Sequence, residues 1–195
     1  MGEAVIISIH PCWCEQIVSG AKTMEVRKNR PKLEPPFKSY IYQTKKRWVF
    51  NLLRKIGFDR FADILERGFG KVIGEFVCDS IRCFGVPYPA FQNQMDKDIL
   101  DQTCCTYYQL HRYAYHDKLY GWHISDLKIY DKPKKLSEFF RICDEWKKEE
   151  FTPKCRRCGN YERCDADMMY VCAIEGEIQV TRPPQSWCYV EEITE

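Results

Sequence analysis

The feature that most constrains this chain is how short its apolar segments are. Residues 4–9 (AVIISI) form a β-branched run suited to a buried strand. Pro11 stands where a helix can begin, Trp13, Ile17 and Val18 share one helical face, and Gly20 is a natural stop. Residues 22–27 then read as a second strand, with Glu25 and Arg27 on one side and Met24 and Val26 on the other. Further strands are expected at residues 38–43, at 71–81 with a glycine that suggests a bulge, within 120–130, at 178–181 and at 186–193.

Helices are fewer. Thr106 and Gln109 have the spacing of a capping box that opens a helix through about Tyr115. Residues 136–148 read as a helix with Phe139, Phe140, Cys143 and Trp146 near one face. Residues 45–66 read as a helical hairpin broken at Gly57. The sum is an α+β fold, a small β-barrel with peripheral helices. It is expected as one domain over residues 1–195, with insertions at 44–70 (the hairpin) and 143–177 (cysteine-rich). Hydrophobic residues make up 45% and charged residues 30% of the chain, which supports a packed core and argues against disorder. No apolar run approaches the length of a membrane span, and the N-terminal residues carry no export features, so a cytoplasmic protein is expected.

Charge is unevenly spread. Residues 22–60 hold twelve Lys and Arg against three acids, while the whole chain is only +2. One basic face follows, either a solvated surface or a contact for an anionic partner. The twelve cysteines also divide. Cys12, Cys14, Cys78, Cys83, Cys104, Cys105, Cys143 and Cys188 are scattered among apolar residues and read as small buried hydrophobes. Cys155, Cys158, Cys164 and Cys172 instead form C-x2-C-x5-C-x7-C, a set that can clasp one structural zinc ion, with an iron–sulfur cluster as the alternative and Cys143 as a substitute ligand.

The opening ISIHPCWCEQIVSGAKTMEVRKNRP carries a Gly-x-Lys-x-x-Glu-x-Arg motif at Gly20, Lys22, Glu25 and Arg27. With GKVIGEFVCDSI, YGWHISDLKIYDKPKKLSEF and TRPPQSWCYVEE following in order, the chain resembles the ASCH domain family, especially its short bacterial and phage forms. The resemblance spans residues 4–43, 71–140 and 178–193. It implies a five- or six-stranded PUA-like barrel related to EVE and YTH domains, with RNA or a modified base bound in a cleft beside the motif. Some members of the group are enzymes, either hydrolases of N4-acetylcytidine or nucleases.

The residues themselves allow several roles. Lys22 can contact a phosphate or serve as a catalytic base. Arg27 can grip a phosphate or a base edge. Glu25 can accept from an exocyclic amine, or form a structural ion pair with Arg27. Trp13, Trp122 and Trp187 are core residues or stacking platforms. His10, His123, Arg182 and Ser186 are further candidates for the cleft. The hydrolase chemistry does not carry over by residue, because Glu25 stands where the nucleophilic threonine is expected and Thr23 faces the other side of the strand. Three functions stay open: a module binding RNA or a modified nucleoside or nucleotide, a small hydrolase using Lys22, and an adaptor that meets a protein partner through the hairpin.

Overall fold

Ala4 to Ile9 are buried without interruption because β1 (Glu3–Ile9) lies between two neighbours and has a core on each face. Val5, Ile7 and Ile9 enter one core, and Ala4 and Ile6 the other. The computed structural model describes residues 2–45, 54–55, 66–115, 117–143, 161–164 and 169–193, with the backbone alone at 161–164 and 169–171. β1 pairs in parallel with β3 (Phe37–Gln43) and antiparallel with β12 (Trp187–Glu191). β4 (Val72–Cys78) and β7 (Ser125–Lys134) complete a five-stranded sheet in the order β12-β1-β3-β4-β7.

A second sheet has the order β2-β6-β5, built from β2 (Met24–Arg27), β5 (Ile81–Phe84) and β6 (Leu119–His123). Trp122 of β6 joins Val5, Ile41 and Phe76 of the larger sheet and Cys14 and Ile17 of α1 (Pro11–Val18) in the central core. The opposite side of the small sheet, through Met24, Val26 and Leu119, packs on α2 (Lys97–Thr103) and α3 (Tyr107–Ala114). The far side of the large sheet buries Tyr40, Tyr42, Leu136 and Phe139.

Local rules account for most elements. Pro11 opens α1, and Gly20 (φ +77) turns the chain toward β2. The Thr106–Gln109 capping box is formed in both directions at the start of α3. Gly74 sits at a register break between β4 and β7, where an added Cβ would lie 2.5 Å from the Lys128 carbonyl oxygen.

Three expectations are corrected. The strands do not close into a barrel: among the described residues the two sheets face each other across the core without a continuous hydrogen-bond ladder. Only Ile124 separates β6 from β7, and the chain changes sheet there. Residues 136–148 do not begin a helix. Leu136–Glu138 is one 3₁₀ turn, and β8 (Phe140–Ile142) pairs with β11 (Glu177–Gln179). Phe139 is fully buried while Phe140 is 37% exposed, the alternation of an extended chain. Of the eight scattered cysteines, only Cys14 and Cys78 are buried; Cys12 and Cys83 are exposed and the rest half-buried. Most of the expected hairpin lies outside the described residues.

Candidate functional site

The turn after α1 determines where the motif goes. Lys22 N–H donates to the Gln16 carbonyl at 2.8 Å, and Thr23 N–H to the Gln102 carbonyl at 3.0 Å, which ties the start of β2 to both α1 and α2. β2 then turns Met24 and Val26 toward the helices and Glu25 and Arg27 toward a cavity of about 540 Å³. That volume lies within the range typical of small-molecule sites, about 300–1,000 Å³.

Lys22, Glu25 and Arg27 are all buried, at 3%, 6% and 7% exposure. Glu25 is the link between the two cations. Its Oε2 lies 3.3 Å from Lys22 Nζ and its Oε1 lies 3.0 Å from an Arg27 Nη2. Lys22 Nζ also donates to the Thr103 carbonyl at 2.9 Å and stands 5.1 Å from the centroid of the Trp13 ring. Arg27 Nη2 donates to the Ser8 carbonyl at 2.7 Å, and Nη1 to Ser186 Oγ at 3.5 Å. Desolvation makes such a triad costly unless each charge is met, and two cations on one carboxylate leave one positive charge in excess. Arg27 Nε and Thr44 Oγ1 are buried and have no hydrogen-bond partner among the described residues.

The walls come from distant parts of the chain. α3 contributes Gln109, Leu110 and Tyr113, and the loop before β12 contributes Pro183, Pro184 and Gln185. Ser8 fixes that loop: its hydroxyl donates to the Pro184 carbonyl at 2.7 Å, and its N–H to the Ser186 carbonyl at 2.8 Å. Burial pushes the Tyr113 phenol up, against the opposing pull of Arg27. Burial likewise raises the Cys105 thiol at the cavity wall, with Lys22 pulling it down.

Of the residues expected from the sequence, His10, Trp13, Lys22, Glu25 and Arg27 line this cavity together. His10 doubles as the N-cap of α1, its Nδ1 accepting from Cys12 N–H at 3.4 Å. Ser186 stands behind the cavity against Arg27. Trp122 is fully buried in the core, edge-on to Phe37, and is not available as a stacking platform. His123 lies outside the lining, its Nδ1 2.7 Å from Asp79 Oδ1, and Arg182 is exposed and also outside it. The α3 wall and Thr44 were missed. Only the capping box hinted that α3 was a rigid element, and nothing local said which surface it would cover.

The family model for the ASCH domain matches residues 7–175. This chain belongs to the ASCH domain family. The ASCH protein of Zymomonas mobilis has a similar crystal structure, at 19% identity and TM-score 0.53, covering 97% of this chain and 88% of that one. Two point mutants of that protein match at 18% identity and TM-score 0.53, covering 97% of this chain and 91% and 89% of theirs. At such identity the likeness speaks for the ASCH fold alone. No match was found among curated proteins.

Cys155 and Cys158 lie outside the described residues. β9 (Tyr161–Cys164) and β10 (Met169–Cys172) pair Cys164 with Met169 and Cys172 with Tyr161. Three residue steps, about 10 Å, therefore separate Cys164 from Cys172 along the ribbon. Cys143 is drawn to the Cys172 end instead: its N–H donates to the Gly176 carbonyl at 2.8 Å, and Gly176 N–H to Cys172 Sγ at 3.4 Å. Among the described residues no three His, Cys, Asp or Glu are grouped to hold a metal. Nor is any described helix long and apolar enough to cross a membrane.

Proposed function

We propose that this ASCH chain is a nucleic-acid-binding module that takes one base of an RNA, or a modified nucleoside, into the cavity beside Lys22, Glu25 and Arg27. The family, which generally binds RNA, supports the reading. The observation that carries it is the cavity itself: two buried cations sharing one carboxylate, beside the aromatic walls of Trp13 and Tyr113. Aromatic faces accept any base, and each stack is worth about 1–3 kcal/mol. The lining adds Lys45, and the Nζ of Lys28, outside the lining, lies 5.5 Å from the centroid of the Tyr113 ring.

A hydrolase reading finds less support. Among the described residues the hydrogen bonds of Lys22 include no hydroxyl: Lys22 bonds the Thr103 carbonyl, and the Thr103 hydroxyl donates to the Ile99 carbonyl at 2.6 Å. Lysine activation of a hydroxyl requires a hydrogen bond between them. A structural zinc in the cysteine insert is proposed separately, and metal analysis of the purified protein tests it: one equivalent supports it and none removes it.

The binding test uses labelled RNA and DNA oligonucleotides at two salt concentrations, with product analysis. RNA binding that weakens with salt, and that falls in Tyr113→Ala and Lys45→Ala, supports the module. Unchanged binding in both variants, or none in the wild type, refutes it.

A further inference from the structure

Tyr107, Leu110 and Ala114 turn one side of α3 into the core, and the other side faces solvent. Gln109 and Tyr113, one helical turn apart, line the cavity and are both exposed. Arg112 lies three positions from Gln109 and four from Tyr108. Tyr113, Gln109, Arg112 and Tyr108 are therefore successive neighbours across the helix surface, leading away from the cavity. Tyr113 is 40% exposed and Tyr108 68%. Tyr108 is also braced: its ring meets that of Tyr107 edge-on, 5.3 Å between centroids, and the Tyr107 hydroxyl donates to the Pro87 carbonyl at 2.7 Å. Residues 102–116 contain no acidic side chain, and Asp101 and Asp117 bound that stretch. Arg112 supplies charge within it, and Lys28 Nζ stands beside the Tyr113 ring.

We infer that a single-stranded RNA with one base in the cavity continues over this face of α3, passing Tyr113 and Arg112 to reach Tyr108. The inference rests on the nucleic-acid reading above and extends it beyond the cavity. An exposed ring offers a π face to any base, and Arg112 and Lys28 meet the backbone phosphates. Two observations select this occupant. The face is continuous with the cavity wall through Tyr113 and Gln109, and α3 carries no negative side chain to repel a phosphate backbone. Exposed tyrosine and arginine also suit a protein interface, which the test below separates. From Tyr113 to Tyr108 the path is one helix diameter, about 10 Å, which about three nucleotides cover at a stacked spacing of roughly 3.4 Å. With the base in the cavity, the site holds about four nucleotides.

The test measures binding of the full chain to fluorescein-labelled, mixed-sequence RNA of two, four and eight nucleotides. Affinity should rise roughly tenfold or more from two to four nucleotides and change little from four to eight. Tyr108→Ala should remove roughly tenfold of the four-nucleotide affinity and leave the two-nucleotide affinity in place, while Tyr108→Phe, which keeps the ring, should bind as the wild type does. Arg112→Ala should weaken binding of the four-nucleotide RNA and lower its salt slope by about 0.7. Both side chains are exposed, and thermal unfolding of each variant checks the fold. If Tyr108→Ala and Arg112→Ala both bind the four-nucleotide RNA like the wild type while Tyr113→Ala weakens it, the α3 path is overturned, its face is left for a protein partner, and the cavity reading stands. Equal affinity for two and four nucleotides overturns the path as well. No binding at any length overturns both readings.

Discussion

Replacing Glu25 with glutamine tests the electrostatics of the site. The change keeps the shape but removes the charge that two buried cations share. Lys22 and Arg27 are 3% and 7% exposed, so solvent cannot take over that role. Breaking a buried ion pair from one side costs about 3–5 kcal/mol. In a chain of 195 residues, each kcal/mol moves the melting temperature by roughly 2–4 °C, so Glu25→Gln should lower it by about 6–20 °C. Urea unfolding followed by circular dichroism, with a thermal scan, measures both quantities. The control is Glu34→Gln. Its partner Arg30 Nη2 lies 2.6 Å from Glu34 Oε1, but the two side chains are 39% and 77% exposed, so the change should stay within about 1 kcal/mol. A loss below about 1 kcal/mol for Glu25→Gln, matching that surface control, would refute the argument that the triad is buried and interdependent.

Three further outcomes follow from the fold. Gly74→Ala should cost about 1–3 kcal/mol in urea unfolding, because the new methyl meets the Lys128 carbonyl at 2.5 Å, a backbone atom that cannot swing away. Thr106→Ala should cost about 1 kcal/mol by the same assay, since it deletes the side-chain acceptor for Gln109 N–H at the start of α3. Burial pushes the Cys78 thiol up to about 12, with Asp79 adding to the effect. In an iodoacetamide time course at pH 8, read by mass spectrometry, exposed Cys83 should therefore be modified well before Cys78.

The parts legible in the sequence were those written in local chemistry. The Pro11 start and Gly20 stop of α1, the two-sided β2 and the α3 capping box each rest on residues within a few positions of one another, and each forms as expected. Residues 136–148 misled because aromatic residues spaced for a helix are also consistent with a strand when only three residues pair; the partner β11 lies about 35 positions away. Barrel closure depends on long-range ladders that strand patterns do not encode.

The site shows the same division. Lys22, Glu25 and Arg27 were visible because motif and strand alternation coincide. Trp122 was ambiguous because a tryptophan beside the motif strand fits a core and a cleft equally, and register decides: it sits opposite Glu25 but packs into the central core. The walls from α3 and from residues 183–185 come from about 80 and 160 positions beyond the motif, and only the tertiary fold brings them to it. The cysteine spacing permitted several ligand sets, whereas the ribbon register separates Cys164 from Cys172.

The most direct test of RNA binding in the motif cavity is photo-cross-linking of the full chain to a 4-thiouridine-containing RNA, with the adducts mapped by mass spectrometry. The account predicts salt-sensitive adducts at Trp13 or Tyr113, competed away by unlabelled RNA. Adducts confined to residues outside the cavity, or none at RNA concentrations that saturate binding, would contradict it.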